Sequence, residues 1–222
     1  MKITYLYNSG FLVELEHHLL LFDYYLGNIP KLNKSKPLYV FVSHNHYDHY
    51  NPEIYHIDHP NITYIIDQGI NNKGIKVAPN KSYQIDDLKI QTLLSTDLGV
   101  AFVVNVEDKY LYHGGDLHWW HWIGEPDEDN KYQENTFKQE INKIKNIHFD
   151  LLMTALDPRL EETIWWGMDY ILKNVTIKYV LPMHFTESTQ KMLEAIDNPP
   201  LNQYHNIIKI KYEEEEYNLL WS

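Results

Sequence analysis

The sequence predicts an α/β (α+β) chain in which two β-sheets pack together with helices outside them, organised as one domain over residues 1–222. Three observations carry this. The first hundred residues are short apolar or alternating runs broken by turn residues, the pattern of strands. The second half changes to helical spacing in two places and returns to strands after each. No internal repeat, Pro/Gly-rich linker or low-complexity block divides the chain.

In order, the strand runs are Ile3 to Tyr7, Phe11 to Glu14, Leu19 to Asp23, Leu38 to Val42, Ile62 to Ile66 and Leu88 to Leu94. Phe102 to Val106 and Tyr110 to Tyr112 flank Glu107-Asp108-Lys109, which reads as a tight hairpin. Phe137, Ile141 and Ile144 recur at helical spacing behind the acidic, cap-like Asp127-Glu128-Asp129-Asn130, and Leu160 to Leu172 is a second amphipathic helix candidate. Strands return at Leu151 to Thr154, Tyr179 to Pro182 and Ile207 to Tyr212. The run Glu213 to Glu216 reads as a solvated turn between two terminal strands.

Composition narrows the function. With 19 Lys+Arg against 31 Asp+Glu the net charge is −12, and the one arginine is Arg159. Non-specific nucleic-acid affinity rests on phosphate neutralisation, so no nucleic-acid partner is expected. The absence of cysteine excludes disulfides, thiolate metal sites and cysteine nucleophiles. No apolar run approaches the ~18 residues of a membrane span, and polar Asn8 and Glu14 interrupt the N-terminal segment, so a cytoplasmic protein without membrane contact is expected. Thirteen histidines in so acidic a chain point to metal, because imidazole is the commonest metal ligand.

The apolar run Leu38–Val42 ends in Ser43-His44-Asn45-His46-Tyr47-Asp48-His49. His44 and His46 leave the strand two residues apart, hence on one side, and both can reach one cation. Asp48 and His49 follow at once, and Asn51-Pro52-Glu53 reads as a helix start that holds them beside the same point but aimed at a neighbouring one. This suits two metals about 3.5–4 Å apart. Burying four such groups without a cation would leave unsatisfied polar atoms at considerable cost. Most other histidines, His17, His18, His56, His59, His148 and His205, read as surface or hairpin residues.

The run His44, His46, Asp48, His49 resembles the H-x-H-x-D-H signature of the metallo-β-lactamase superfamily. Gly115-Asp116 after a strand and His184 after Tyr179–Pro182 match that family's later ligands in order and context, and Leu20-Leu21-Phe22-Asp23 resembles its early strand ending in aspartate. The resemblance runs to about residue 190. It implies an αββα four-layer sandwich of two mixed sheets with helices outside and the metals in a cleft at the strand ends. The implied cofactor is Zn²⁺, one or two per chain, with Mn²⁺ or Fe²⁺ as alternatives. It further implies a hydrolase of small-molecule esters, lactones, amides or phosphoesters in which Asp116 bridges or serves the second site, Asp48 binds metal and accepts the proton of the attacking water, and His184 completes the second site. Branches that need a cysteine, a flavin domain or basic RNA-binding clusters are set aside by composition. The compact lactonase and phosphodiesterase-like branch is what this chain resembles.

One position departs from the family. Where a third histidine is usual, this chain has Ser95-Thr96-Asp97-Leu98-Gly99. Either Asp97 takes over as an oxygen ligand, or the first site is weak and only the second fills, or His113 or another loop histidine reaches in. The same departure supports an alternative function, a non-catalytic metal-binding or sensor protein. Leu117-His118-Trp119-Trp120-His121-Trp122 begins at Asp116, which makes His118, Trp119, Trp120 and Trp122 candidate walls of the substrate cleft or else core. Arg159, in Asp157-Pro158-Arg159, is either a bidentate clamp for a substrate carboxylate or phosphate or an ion-pair partner of Asp157 or Glu161.

Overall fold

A computed structural model describes residues 1–186 and 188–220. The first sheet contains β1 (Lys2–Tyr5), β2 (Phe11–Glu14), β3 (Leu19–Phe22), β4 (Leu38–Val42), β5 (Ile62–Asp67), β6 (Ile75–Val77) and β13 (Glu216–Asn218), in the order β13-β1-β2-β3-β4-β5-β6. The second contains β7 (Ser82–Ile85), β8 (Leu88–Leu94), β9 (Val100–Val106), β10 (Lys109–His113), β11 (His148–Ala155) and β12 (Thr176–Met183), in the order β12-β11-β10-β9-β8-β7. Each sheet is mixed. β3, β4, β5 and β6 run parallel, as do β10, β11 and β12, and the remaining pairs are antiparallel.

Side-chain alternation builds the sandwich. In β4, Tyr39 and Phe41 join the core between the sheets, while Leu38, Val40 and Val42 join a second cluster on the outer face. Both faces are covered, which is why the run is apolar without a break. Phe41 packs on Phe22 of the neighbouring strand (centroids 4.7 Å) and on Phe102 across the sandwich (5.2 Å). α1 (Asp127–Asn142) and α2 (Trp166–Asn174) bury Phe137, Ile141, Met168 and Ile171 in the main core, and α2 lies against β11. The outer face of the first sheet is closed by a 3₁₀ turn, Pro52–His56, whose Ile54 is buried, together with Tyr24, Ile29 and Leu32 of the preceding loop. Asn51 caps that turn, accepting from the Glu53 amide.

The Glu107-Asp108 hairpin forms as expected, both residues taking the left-handed φ (51° and 57°) that a two-residue turn of the right twist requires. Three segments differ from the sequence expectation. Leu160 to Leu172 is not one helix: Asp157 and Pro158 start a 3₁₀ turn, Pro158–Thr163, that Glu161 breaks at φ 51°, and α2 begins only at Trp166. Ile207 to Tyr212 is not a strand; the segment touches β12 only at an isolated bridge between Ile207 and Val180, and no ladder continues from it. The acidic residues expected to cap α1 lie inside it: Asp127, Glu128 and Asp129 form its first turn behind Pro126, and no side chain caps the helix. β6, β7 and α3 (Thr189–Asp197) were not among the expected elements, although Met192 and Ile196 of α3 are buried at helical spacing behind a Ser188 cap.

The parallel strands all end on one edge of the sandwich. After β3 comes Asp23, after β4 His44 to His49, after β10 Asp116, after β11 Asp157 and after β12 His184. β8 runs the same way as β10, so the turn bearing Asp97 opens on that edge too.

Candidate metal centre

Two groups of donor atoms converge there, each with all its atoms within 4.8 Å of one another: His44, His46, Asp97 and Asp116 in one, Asp48, His49 and His184 in the other. Asp116 joins them. Its Oδ2 lies 3.4 Å from His44 Nε2, and its Oδ1 lies 3.1 Å from His49 Nε2 and 3.5 Å from His184 Nε2. His46 Nδ1 lies 3.5 Å from Asp97 Oδ2, and His184 Nε2 lies 3.4 Å from Asp48 Oδ2.

Backbone shape brings these groups close. Gly99 (φ 73°) and Gly115 (φ 48°) lie against Ser43, and a Cβ at either would fall 2.0 Å from the Ser43 carbonyl oxygen or 2.7 Å from its Cβ. Only glycine lets the loops of Asp97 and Asp116 approach the His44 loop this closely.

Outside the donors lies a layer that aims them. The Asp23 carboxylate, fully buried, accepts from the Ser43 amide (2.7 Å), from Ser43 Oγ (2.6 Å) and from His49 Nδ1 (2.8 Å). Ser43 Oγ, its proton given to Asp23, accepts from His44 Nδ1 at 3.0 Å. Asp157 Oδ2 accepts from His184 Nδ1 at 2.9 Å. With Nδ1 as donor in each ring, the Nε2 lone pairs of His44, His49 and His184 face inward, the state in which imidazole binds a cation.

The residues fit a metal by a structural test. His44 Nε2, His49 Nε2 and Asp116 Oδ1 are buried and make no aligned hydrogen bond among the described residues. The distances of 3.1–3.5 Å from the Asp116 oxygens to the Nε2 atoms of His44, His49 and His184 match the ~3.4 Å edge of a tetrahedron with metal–donor distances of about 2.1 Å.

The electrostatics of the centre follow from the same contacts. Burial would raise the carboxyl of Asp116, but His49, His184 and His44 hold it far below the usual carboxylate range. Burial is likewise overcome at Asp48 by the His184 hydrogen bond, leaving it at about 2. Desolvation lowers His184, yet Asp157 and Asp48 raise it to about 9, and Asp116 and Asp23 likewise raise His49. His44 falls to about 4 through burial and the neighbouring His49. Asp97 is raised by burial and by Asp116.

A cleft of about 400 Å³ opens over the donors, lined by His46, Tyr47, Asp48, Asp97, Asp116, Trp120, Trp122, Gln133, Arg159 and His184. Trp120 is mostly buried; its Nε1 donates to the Asp116 carbonyl (2.9 Å) and its ring lies parallel to Trp122. Trp119 and His118 do not line the cleft. Trp119 packs on Phe137, Trp166 and Tyr170, and His118 is fully buried against Gly167 and Phe137, its pKa lowered to about 4 by burial. His118 and Trp119 both turn toward Phe137 while Trp120 and Trp122 turn to the cleft, so a start at Asp116 did not carry all four side chains there. His113 does not reach in either, since its Nε2 bonds to the Ser9 carbonyl and its Nδ1 accepts from the Gly115 amide. His18 is buried between Glu107 and Asp87 instead of exposed.

Arg159 takes the ion-pair arrangement: its Nε and Nη2 fork onto Asp157 at 2.5–3.0 Å while its guanidinium borders the cleft. Tyr47 and Gln133 were not among the sequence candidates. Tyr47 lies between two donors in the chain, a signal that was available; Gln133 on α1 offered none.

Comparison with known families matches residues 2–129 to the β-lactamase superfamily domain. The chain belongs to the metallo-β-lactamase superfamily. Solved structures of the superfamily fold extend the likeness over the whole chain. Igni18, a metallo hydrolase from Ignicoccus hospitalis, is 14% identical with a TM-score of 0.68, covering 100% of this chain and 99% of its own. The metallo-β-lactamase-fold protein YhfI from Bacillus subtilis is 13% identical with a TM-score of 0.61, covering 98% and 99%. CmlA, a diiron β-hydroxylase from Streptomyces venezuelae, is 10% identical with a TM-score of 0.66, covering 98% of this chain and 54% of its own. No curated protein matches. Asp97 lies in the donor group with His44, His46 and Asp116. No helix among the described residues is long and apolar enough to cross a membrane.

Proposed function

We propose that this chain is a hydrolase of small-molecule esters, lactones, amides or phosphoesters that works at a two-metal centre. The observation that carries the reading is the pair of oxygens on Asp116, one facing each donor group. His44, His46, Asp97 and Asp116 would hold one divalent ion, and Asp48, His49, His184 and Asp116 the other. Zn²⁺ is the first candidate. Three carboxylates among seven donors also suit Mn²⁺ or Fe²⁺, and a diiron enzyme shares the fold. Bound ions would supply a water acidified toward neutrality and an electrophile for the substrate carbonyl or phosphoryl oxygen.

The chain's own groups do the rest. Asp48 Oδ2, partly exposed at the cleft floor, is placed to take the proton of the attacking water. Trp120 and Trp122 keep bulk water from one wall, and Tyr47 and Gln133 offer polar contacts to a bound substrate. The small cleft and the charge of −12 favour a small molecule over a nucleic acid.

The test is metal analysis of protein purified without chelator, followed by hydrolysis of p-nitrophenyl acetate and bis(p-nitrophenyl) phosphate. Turnover that chelator abolishes, metal restores and Asp116→Ala eliminates supports the hydrolase. Bound metal without turnover of any ester, lactone, amide or phosphodiester supports the sensor reading, which Asp97 in place of histidine favours.

A further inference from the structure

The geometry points to Asn8 as the positioning residue that joins the two halves of the second donor group, an inference that rests on the metal-centre reading above. Asp48 and His49 leave the first sheet after β4, whereas His184 leaves the second sheet after β12. Neither sheet by itself sets the distance between them.

Asn8, at the tip of the β1–β2 turn and nearly fully buried, touches both. Its Nδ2 donates to Asp48 Oδ2 (3.1 Å) and to the Asp48 carbonyl (3.3 Å). Its backbone carbonyl accepts the His184 amide at 3.1 Å, and its Oδ1 accepts from Thr186 Oγ1 at 3.3 Å. The partners leave one consistent orientation of the amide, with nitrogen toward the acidic and carbonyl oxygens and oxygen toward the hydroxyl. The Asp48 oxygen that Asn8 binds is the one that faces His184 Nε2 and His49 Nε2. A donor on one side of that oxygen directs its remaining lone pair into the group.

Backbone strain adds a second reason. His184 sits at φ 63°, left-handed and unusual for a side chain without a local hydrogen bond, and the Asn8 carbonyl fixes its amide there. Asn8 itself is at φ 52°, where asparagine is among the few residues that sit easily. Glycine and aspartate would also accept the turn. Glycine brings no donor, and aspartate would set oxygen against oxygen at Asp48. Asparagine meets both demands.

The experiment is titration of metal-free protein with Zn²⁺ in two backgrounds, Asp97→Ala to impair the first group and His184→Ala to impair the second. Added to Asp97→Ala, Asn8→Gly is expected to weaken zinc binding about 10–100-fold, the usual loss when a partner behind a ligand is removed. Added to His184→Ala, it should change zinc affinity less than about twofold, because the remaining group does not touch Asn8. Asn8→Asp keeps a residue suited to the turn and is read in the same way should the glycine variant fail to fold. Unchanged affinity in the Asp97→Ala background, or equal losses in both, would overturn the role of Asn8 alone. Absence of zinc binding by the unsubstituted protein would overturn the metal centre itself, and the role of Asn8 with it.

Discussion

Asp157 Oδ2 accepts from His184 Nδ1 at 2.9 Å and from Arg159 Nη2 at 2.5 Å. The arginine therefore acts on the donor group through a carboxylate. Arg159→Lys cannot reproduce the fork and should let Asp157 swing. We expect roughly tenfold weaker metal binding at the second group and a lower Tm, with KM for anionic substrates unchanged. Calorimetric metal titration beside steady-state kinetics checks this; a raised KM with intact metal affinity would assign the guanidinium to the substrate.

Asp97 is the carboxylate that belongs to the first group alone, Asp116 being shared with the second. Asp97→Ala should remove one metal equivalent while leaving the ion held by Asp48, His49 and His184. Asp97→His should restore it, with a shift toward nitrogen-preferring Zn²⁺. Elemental analysis per chain decides, and full stoichiometry in the alanine variant would make Asp97 a loop residue.

Asp23 supports both groups at once, His49 directly and His44 through the Ser43 hydroxyl. Asp23→Ala leaves those donors buried and unpaired, so a loss of about 3–5 kcal/mol in urea denaturation of the metal-free protein is expected. A loss under about 1 kcal/mol would show that the network contributes little net stability.

The metal-free protein should be most stable near pH 6.5. His184, raised from 6.5 to about 9, contributes stability that is present below 6.5 and lost as pH rises through 9. His44 and His118, lowered from 6.5 to about 4, stay neutral in the fold while the unfolded chain protonates, so stability falls from 6.5 down to 4. Saturation with metal should flatten the alkaline side, since the bound ring carries no proton there. Tm against pH, with and without Zn²⁺, tests both limbs.

Trp119 and Trp122 should separate cleanly. Trp119→Ala is expected to cost about 3 kcal/mol of stability without altering KM. Trp122→Ala should raise KM with metal content intact. Reversal of the two outcomes would return Trp119 to the cleft wall.

How much of this was legible depended on local regularity. The unbroken apolar run Leu38–Val42 and the tight spacing of His44 to His49 made both the buried strand and its candidate donors readable, because strand period fixes the side on which His44 and His46 emerge. Asp116 and His184 were expected from the family resemblance, in their places after strands, and Asp97 as one of three alternatives where that resemblance departs. Where the chain lacks a period, sequence had little to offer: the facing of Trp119 and His118 is set by tertiary packing, and the break before α2 by a single left-handed residue, Glu161. The part played by Asn8 arises from a turn meeting loops 40 and 176 positions away, which no local pattern records.

The donors divide between the sheets, His44 to His49 on the first and Asp97, Asp116 and His184 on the second. An ion held by both is then a rivet through the sandwich. Amide hydrogen exchange in β4 and β12 would be governed by a single opening event in the loaded protein, and by separate, easier ones for each sheet once the ions are withdrawn. Metal supply would thereby set how long the folded chain survives proteases as well as whether it can turn over substrate.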